Sequence, residues 1–282
     1  MIYERVGETL VPKLGLGTWE LTGSHCRDIV ADALAMGYRL LDTAQGYDNE
    51  SEIGRALRAS QTPRESVFVV TKAWGDHIVE LGAAAVLEQS LRRLRTDYVD
   101  LFLVHWPSPT YTVARTVEPL QDVLTRGLAR HVGVSNFPTA QLDAACRVVP
   151  VWCNQVEFHP FLDQKKLLAA CRNVGALLMA YSPLARGAAL EDPLIKRVGE
   201  SHCRAPAQVA LRWCLQHHAV LAIPKAAQRR HLEANLQIFD FSLNAAQMRA
   251  ISAQARGERH IDPDFAPIWD PPAGATDAEP NA

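Results

Sequence analysis

No apolar run in this sequence approaches the ~18 residues that a membrane span needs. Glu4, Arg5 and Glu8 interrupt any secretory h-region at the start. Neither sign of charge prevails: 29 Lys and Arg face 31 Asp and Glu, a formal net charge of −2. That balance lacks the basic surface on which nucleic-acid phosphates bind. Gly and Pro, at 16 and 17, are too few for a collagen-like or low-complexity chain. Cysteine is sparse and scattered. Cys26, Cys146, Cys153, Cys171, Cys203 and Cys214 stand more than four residues apart, which excludes a CxxC redox pair or zinc half-site. Their even number leaves a disulfide framework open, but reduced core thiols are the expected state in a chain of this length. With 48% hydrophobic residues over 282 positions, the expectation is a cytoplasmic, soluble, monomeric protein with ample core, binding neither nucleic acid nor membrane.

What is present alternates. Short β-branched or apolar runs are each followed by a helical pattern: Lys13–Gly17 then Cys26–Ala35, Tyr38–Asp42 then Asn49–Ala59, Val67–Lys72 then Glu80–Leu94. Next come Val99–His105 then Val117–Arg126, His131–Ser135 then Thr139–Arg147, and Trp152–Glu157 then Gln164–Asn173. Leu177–Tyr181 leads to Asp192–Cys203 and Pro206–Gln216, and Val220–Pro224 precedes Arg230–Leu236. The helices rest on spacings such as Leu87, Leu91 and Leu94, and on start signals such as Thr116 with Pro119, and Pro206. Eight strand–helix units, roughly 30 residues apart, predict parallel strands closed into a (β/α)8 TIM barrel. An open doubly wound sheet is the alternative, but Gly15-Leu16-Gly17 lacks the third glycine of a G-x-G-x-x-G turn. Residues 1–12 alternate around Gly7-Glu8, which predicts a hairpin plugging the barrel bottom. A C-terminal extra helix and loop over the mouth complete a single domain, residues 1–270. Residues 271–282, rich in Pro, Ala and Asp, are expected to be disordered.

In such barrels chemistry gathers where strands end. The second strand ends at Asp42 with Tyr47 just beyond, the third at Lys72, the fourth at His105. A phenol of pKa ~10 is a weak acid at neutral pH, and an ammonium within ~4–6 Å favours its phenolate. A carboxylate paired with the lysine fixes it there, and a neutral imidazole can orient a substrate oxygen. Together they predict an acid for protonating a carbonyl oxygen. Singly each residue has a plainer reading: a solvated lysine, a structural histidine.

Leu40-Leu41-Asp42-Thr43-Ala44-Gln45-Gly46-Tyr47-Asp48-Asn49-Glu50 resembles a signature of the aldo-keto reductases. Further motifs follow in register: Gly15-Leu16-Gly17-Thr18-Trp19, Thr71-Lys72, Leu103-Val104-His105-Trp106-Pro107 and Val132-Gly133-Val134-Ser135-Asn136-Phe137. Asn154-Gln155-Val156-Glu157, Tyr181-Ser182-Pro183-Leu184 and Ile223-Pro224-Lys225 extend it over roughly residues 2–270. Asp42–Gln45, Arg95–Leu101 and Ala266–Asp270 resemble the short bacterial 2,5-diketo-D-gluconate and methylglyoxal reductase branch. The resemblance implies NAD(P)H-dependent carbonyl reduction, with Tyr47 as general acid, Lys72 and Asp42 as its tuning pair and His105 orienting substrate. It implies that Tyr181 stacks on nicotinamide while Ser135, Asn136 and Gln155 bind its carboxamide. Gly17, Thr18, Asp42, Ser182, Leu184, Ala226 and Asn235 are further cofactor contacts it implies. A Ser-Asn pair by itself reads equally as turn chemistry.

Lys225 precedes a helix start, a natural phosphate position, and Arg229 and Arg230 follow within one turn, suited to a 2′-phosphate. Three cations at a helix start also read as solvated surface. Ala226, His231 and Ala234 depart from the commoner family residues Ser, Arg and an acid, so NADPH is expected with NADH as the alternative. Trp19, Tyr47, Trp74, His105, Trp106 and Trp269, with Phe265, are expected to line a rather open pocket for small aldehydes, 2-ketoaldehydes or keto sugars. Arg92-Arg93-Leu94-Arg95 reads as a solvated helix end, and His217-His218 as cations at a helix C-terminus. Two rival readings stand. One is a nucleotide-binding sensor or partner subunit on the same barrel. The other is a metal-dependent barrel hydrolase, against which only His105 is clearly placed as a ligand, so no metal is expected.

Overall fold

Alternation in the first twelve residues produces the expected hairpin. In the computed structural model, which describes residues 1–271, β1 (Tyr3–Val6) pairs antiparallel with β2 (Thr9–Pro12). Gly7 turns between them at φ +57°, a conformation that glycine adopts without strain. The expected C-terminal tail, Pro271 apart, lies outside the described residues.

Eight strands follow: β3 (Leu16–Gly17), β4 (Leu40–Asp42), β5 (Phe68–Ala73), β6 (Val99–Val104), β7 (Ala129–Ser135), β8 (Val151–Glu157), β9 (Leu177–Tyr181) and β10 (Val220–Ala222). Each pairs in parallel with the next in chain order. The first and last segments also meet. The Gly15 N–H donates to the Ala222 carbonyl at 2.9 Å and the Gly17 N–H to that of Pro224 at 3.1 Å. A Cβ on Gly17 would stand 2.5 Å from the Ile223 carbonyl oxygen, so closure needs glycine there. The fold is a closed (β/α)8 barrel.

Period-two alternation sorts each strand between two cores. On β6, Leu101 and Leu103 pack in the barrel interior, while Phe102 and Val104 face the surrounding helices. Leu40, Phe68, Val70, Cys153, Leu177, Met179 and Leu221 join the interior set. Val11, fully buried, and Val6 of the hairpin pack on its lower end, so the hairpin plugs the N-terminal opening. Two residues on from this apolar column, the same inward parity reaches Asp42, Lys72, His105, Gln155 and Tyr181.

The helices differ locally from the sequence reading. The helix expected over Glu80–Leu94 is two, Gly75–Leu81 and Ala83–Leu94, broken where Gly82 adopts φ +84°. The expected Val117–Arg126 helix starts earlier. Thr112, not Thr116, caps Val113–Val117 by accepting the Arg115 N–H, and Pro119 separates it from Leu120–Thr125. Arg93 is no solvated charge: its Nε lies 2.7 Å from the buried Glu50 carboxylate. His217 is no cation either, since burial holds its imidazole below the usual range while Nδ1 meets the Trp213 carbonyl at 2.8 Å. All six cysteines are free. The C-terminal helix Ala245–Ser252 packs on the flank, where Trp213 Nε1 donates to Ser252 at 3.0 Å. The segment after it turns back over the mouth. Among the described residues no helix is long and apolar enough to cross a membrane.

Candidate active site

The four residues that the strand ends predicted meet at the C-terminal mouth. Lys72, fully buried on β5, donates from Nζ to Asp42 Oδ2 at 2.9 Å, to the Thr43 carbonyl at 2.8 Å and to Tyr47 Oη at 3.2 Å. Gln155, from across the barrel, donates to the other Asp42 oxygen at 2.7 Å. Tyr47 sits on a single turn, Gln45–Tyr47, and meets the His105 ring edge-on, centroids 5.6 Å apart. Behind it, Asn49 locks the β4 turn: it accepts from Thr43 at 2.6 Å and donates to the Thr18 carbonyl at 2.8 Å.

Electrostatics refine the sequence reading. Burial pushes the Tyr47 phenol up, and the Lys72 ammonium pulls it back only in part. The phenol therefore keeps its proton at neutral pH, with a cation waiting for the phenolate. Burial works against the Lys72 ammonium, but Asp42 and Tyr47 outweigh it and hold it above its usual range. Burial also raises the Asp42 carboxyl against the opposing pull of Lys72 and Gln155. Desolvation, with the Lys72 charge nearby, holds His105 well below the usual histidine value, so its imidazole is neutral. His105 Nδ1 is buried with no hydrogen-bond partner among the described residues.

Beside this group stands an amide platform. Asn136 donates to the His105 carbonyl at 3.0 Å and accepts from Tyr181 Oη at 2.8 Å, while Ser135 donates to the Gln155 carbonyl at 2.8 Å. A hydroxyl, two amides and a phenol side by side form a donor and acceptor set that suits a nicotinamide carboxamide and its flat ring. Gly17, Asp42, Ser135, Asn136, Gln155, Tyr181, Ser182 and Lys225 all line one cavity of about 550 Å³. Thr18 stands behind it, buried, with its hydroxyl on the Asp42 carbonyl at 2.8 Å. Leu184, Ala226, Arg229, Arg230 and Asn235 do not line it. Leu184 packs on the outer core, and Ala226 and Asn235 are buried. Arg229 is held by Asp32 at 2.8 Å and Glu233 at 3.1 Å, and Arg230 is exposed.

Trp19, Tyr47, Trp74, His105, Trp106 and Phe265 lie on the walls of this cavity. Trp269 does not. Its indole donates to Asp262 at 2.7 Å, its ring lies 3.8 Å from the Arg259 guanidinium, and it meets the wall residue Trp106 edge-on with centroids 6.1 Å apart, so it supports the wall without lining the cavity. Sequence reasoning missed Arg186, Ile223, His260, Ile261, Asp262 and Pro263, which also line the cavity. Arg186 had a local signal, the turn after a strand end. Residues 260–263 had only the expected C-terminal loop over the mouth as a signal, because which of its residues face the cavity depends on the path of that segment.

The loops around the mouth also hold six of the nine non-glycine residues with positive φ among the described residues. Glu20, Asp48, Asn136, Ser182, Ala185 and Arg186 all have φ between +47° and +65°. Non-glycine residues there cost energy and cluster at functional sites.

The aldo/keto reductase family model matches residues 13–256. Methylglyoxal reductase DkgB of Escherichia coli O157:H7 is 37% identical over 266 residues, covering 92% of this chain and 99% of its own. Morphine 6-dehydrogenase of Pseudomonas putida is 38% identical, covering 90% of each chain. A crystal structure provisionally named a 2,5-diketo-D-gluconic acid reductase B superposes with TM-score 0.90 at 42% identity, covering 93% of this chain and 94% of its own. The strand order, the Asp42–Lys72–Tyr47 chain beside a neutral His105 and these matches agree: the chain belongs to the aldo/keto reductase family and is an NAD(P)H-dependent oxidoreductase.

Proposed function

We propose that the chain reduces aldehyde and ketone carbonyls to alcohols with NADPH, and that its substrates are small aldehydes, 2-ketoaldehydes and keto sugars. The observation that carries this reading is the Lys72 ammonium, 3.2 Å from Tyr47 Oη and 2.9 Å from Asp42. A carbonyl oxygen between Tyr47 and His105 would accept a hydrogen bond from each. As negative charge develops on that oxygen, Tyr47 gives up its proton, and the phenolate left behind is stabilised by Lys72. Asp42 keeps the lysine charged and in place, and Gln155 keeps Asp42 in place. A bound nicotinamide, held by Ser135, Asn136, Gln155 and Tyr181, would supply the hydride to the carbonyl carbon. The aromatic walls exclude water and favour flat dicarbonyl substrates.

Preference for NADPH rests on Lys225 and Arg186 at the cavity rim, with Arg230 exposed nearby. Arg229 is already paired with two carboxylates and Lys225 with Glu20, so both would have to exchange partners to meet a phosphate. All of these groups come from one chain. We further propose a cytoplasmic monomer with a single barrel domain over residues 1–270.

The test is oxidation of NADPH, then of NADH, against methylglyoxal, 2,5-diketogluconate, an aromatic aldehyde and a ketosteroid. Turnover of the dicarbonyls with NADPH preferred is the expected result. Binding of nucleotide with no turnover on any carbonyl would overturn it in favour of a sensor or partner subunit.

A further inference from the structure

Glu157 ends β8 and is fully buried, yet it takes no part in the chemistry above. Its carboxylate faces the C-terminal segment. Oε1 accepts from His159 Nε2 at 2.9 Å and from the His260 backbone N–H at 2.8 Å. Oε2 accepts from the Ile261 N–H at 3.1 Å, with Arg259 Nη1 at 3.9 Å. From this grip the chain runs directly to Phe265, which packs edge-on against both Trp74 and Trp106 at 5.3 Å. Two other anchors bracket the segment. The Phe161 carbonyl accepts the Arg256 and Glu258 N–H groups, each at 3.1 Å, and Asp270 accepts the Thr139 N–H at 2.9 Å.

We infer that Glu157 is a positioning residue: its carboxylate grips two successive backbone N–H groups and so holds residues 260–265 as the substrate-facing wall. Burial would push this carboxyl up, but the His159 imidazole and the His260 and Ile261 N–H groups outweigh burial and hold it below the usual carboxylate range. A buried charge is costly unless fully hydrogen-bonded, and here two of its three hydrogen-bond donors belong to the C-terminal segment that walls the pocket. Glu157, His159 and His260 are also a group of possible metal ligands, within 4.8 Å of one another. Both carboxylate oxygens, however, already face N–H donors and a guanidinium. That arrangement fits a latch and repels a cation.

The inference rests on the carbonyl-reducing reading of this cavity, so its test includes an arm without turnover. In Glu157→Gln the amide NH2 would face a backbone N–H, donor against donor. Hydrogen exchange should accelerate about tenfold at the amides of residues 258–266 and nowhere else. For a dicarbonyl substrate KM should rise about tenfold, with kcat within about twofold and NADPH affinity unchanged. Glu157→Asp, which keeps the charge but withdraws it by one methylene, should give the same signature at smaller size, and it carries the test if Glu157→Gln does not fold. Unchanged exchange in both variants would overturn the inference, as would a fall in kcat at constant KM. So would Zn²⁺ raising the Tm of the parent protein but not of Glu157→Gln, which would make the cluster a metal site. If no carbonyl is turned over at all, the exchange result still decides the latch, and the failure belongs to the proposed activity.

Discussion

The two ends of the barrel are built from the same eight strands with the same inward parity, and they have opposite character. At the lower end Leu40, Phe68, Val70, Leu101 and Leu177 interdigitate and the hairpin closes over them with Val11. At the upper end the next inward positions are Asp42, Lys72, His105, Gln155 and Tyr181, and the opening is left to loops. One end buries apolar area and is plugged. The other spends stability on the buried Asp42–Lys72 pair, on His105 at the mouth and on six of the nine non-glycine residues with positive φ among the described residues. Stability and function are thus separated along the barrel axis by about one layer of side chains, which makes the separation testable.

The largest effect is expected at the upper end. Tyr47→Phe should lower kcat for carbonyl reduction by roughly 10²–10⁴, with NADPH affinity and Tm near those of the parent. A variant that turns over normally would remove Tyr47 from the chemistry. At the lower end Leu101→Ala should reduce unfolding free energy by about 2–5 kcal/mol, read by denaturant unfolding, while KM and kcat of the remaining folded protein hold. A loss of activity ahead of unfolding would show that the two ends are coupled.

A smaller effect is expected at the rim. Lys225→Met removes an exposed charge now paired with Glu20 at 2.6 Å and should weaken NADPH about tenfold, measured by fluorescence titration. NADH should be affected less. Equal weakening of both would move Lys225 from the 2′-phosphate to the part that the two cofactors share.

The smallest concerns pH. His105 above and His131 below are both held under the usual histidine value by burial. The unfolded chain therefore binds protons at these positions before the folded one does. Stability is fully present above the unfolded value of ~6.5 and is lost as pH falls below it. For His105 the loss from pH 7 to 6 should be under about 1 kcal/mol. His105→Asn should flatten the fall of Tm with pH and abolish turnover, whereas His131→Asn should flatten it with turnover intact.

Much of this was legible locally. Asp42, Lys72 and His105 stand two residues beyond apolar inward positions, so period-two alternation and strand ends sufficed to group them with Tyr47. Helix breaks were less legible. Gly82 and Pro119 interrupt patterns that remain periodic on both sides, and Thr112 lies outside the pattern it caps. Arg93 looked like a solvated charge because its partner, Glu50, is on another helix. The C-terminal wall was legible only through Phe265, and Glu157 not at all as its anchor, because the bond to the His260 N–H spans 103 residues.

The sequence by itself determined the eight strand–helix units, the inward parity of each strand and the grouping of Asp42, Tyr47, Lys72 and His105 at one end, since each depends on chain-neighbour spacing. Only the tertiary structure decided what closure brings together: Gln155 on Asp42 across 113 residues, Gly17 against the last strand, Arg186 at the rim and Phe265 between two tryptophans. The physical reason is that a parallel barrel makes every neighbour of a strand non-local. Alternation says which face a side chain takes, and closure says what it meets there.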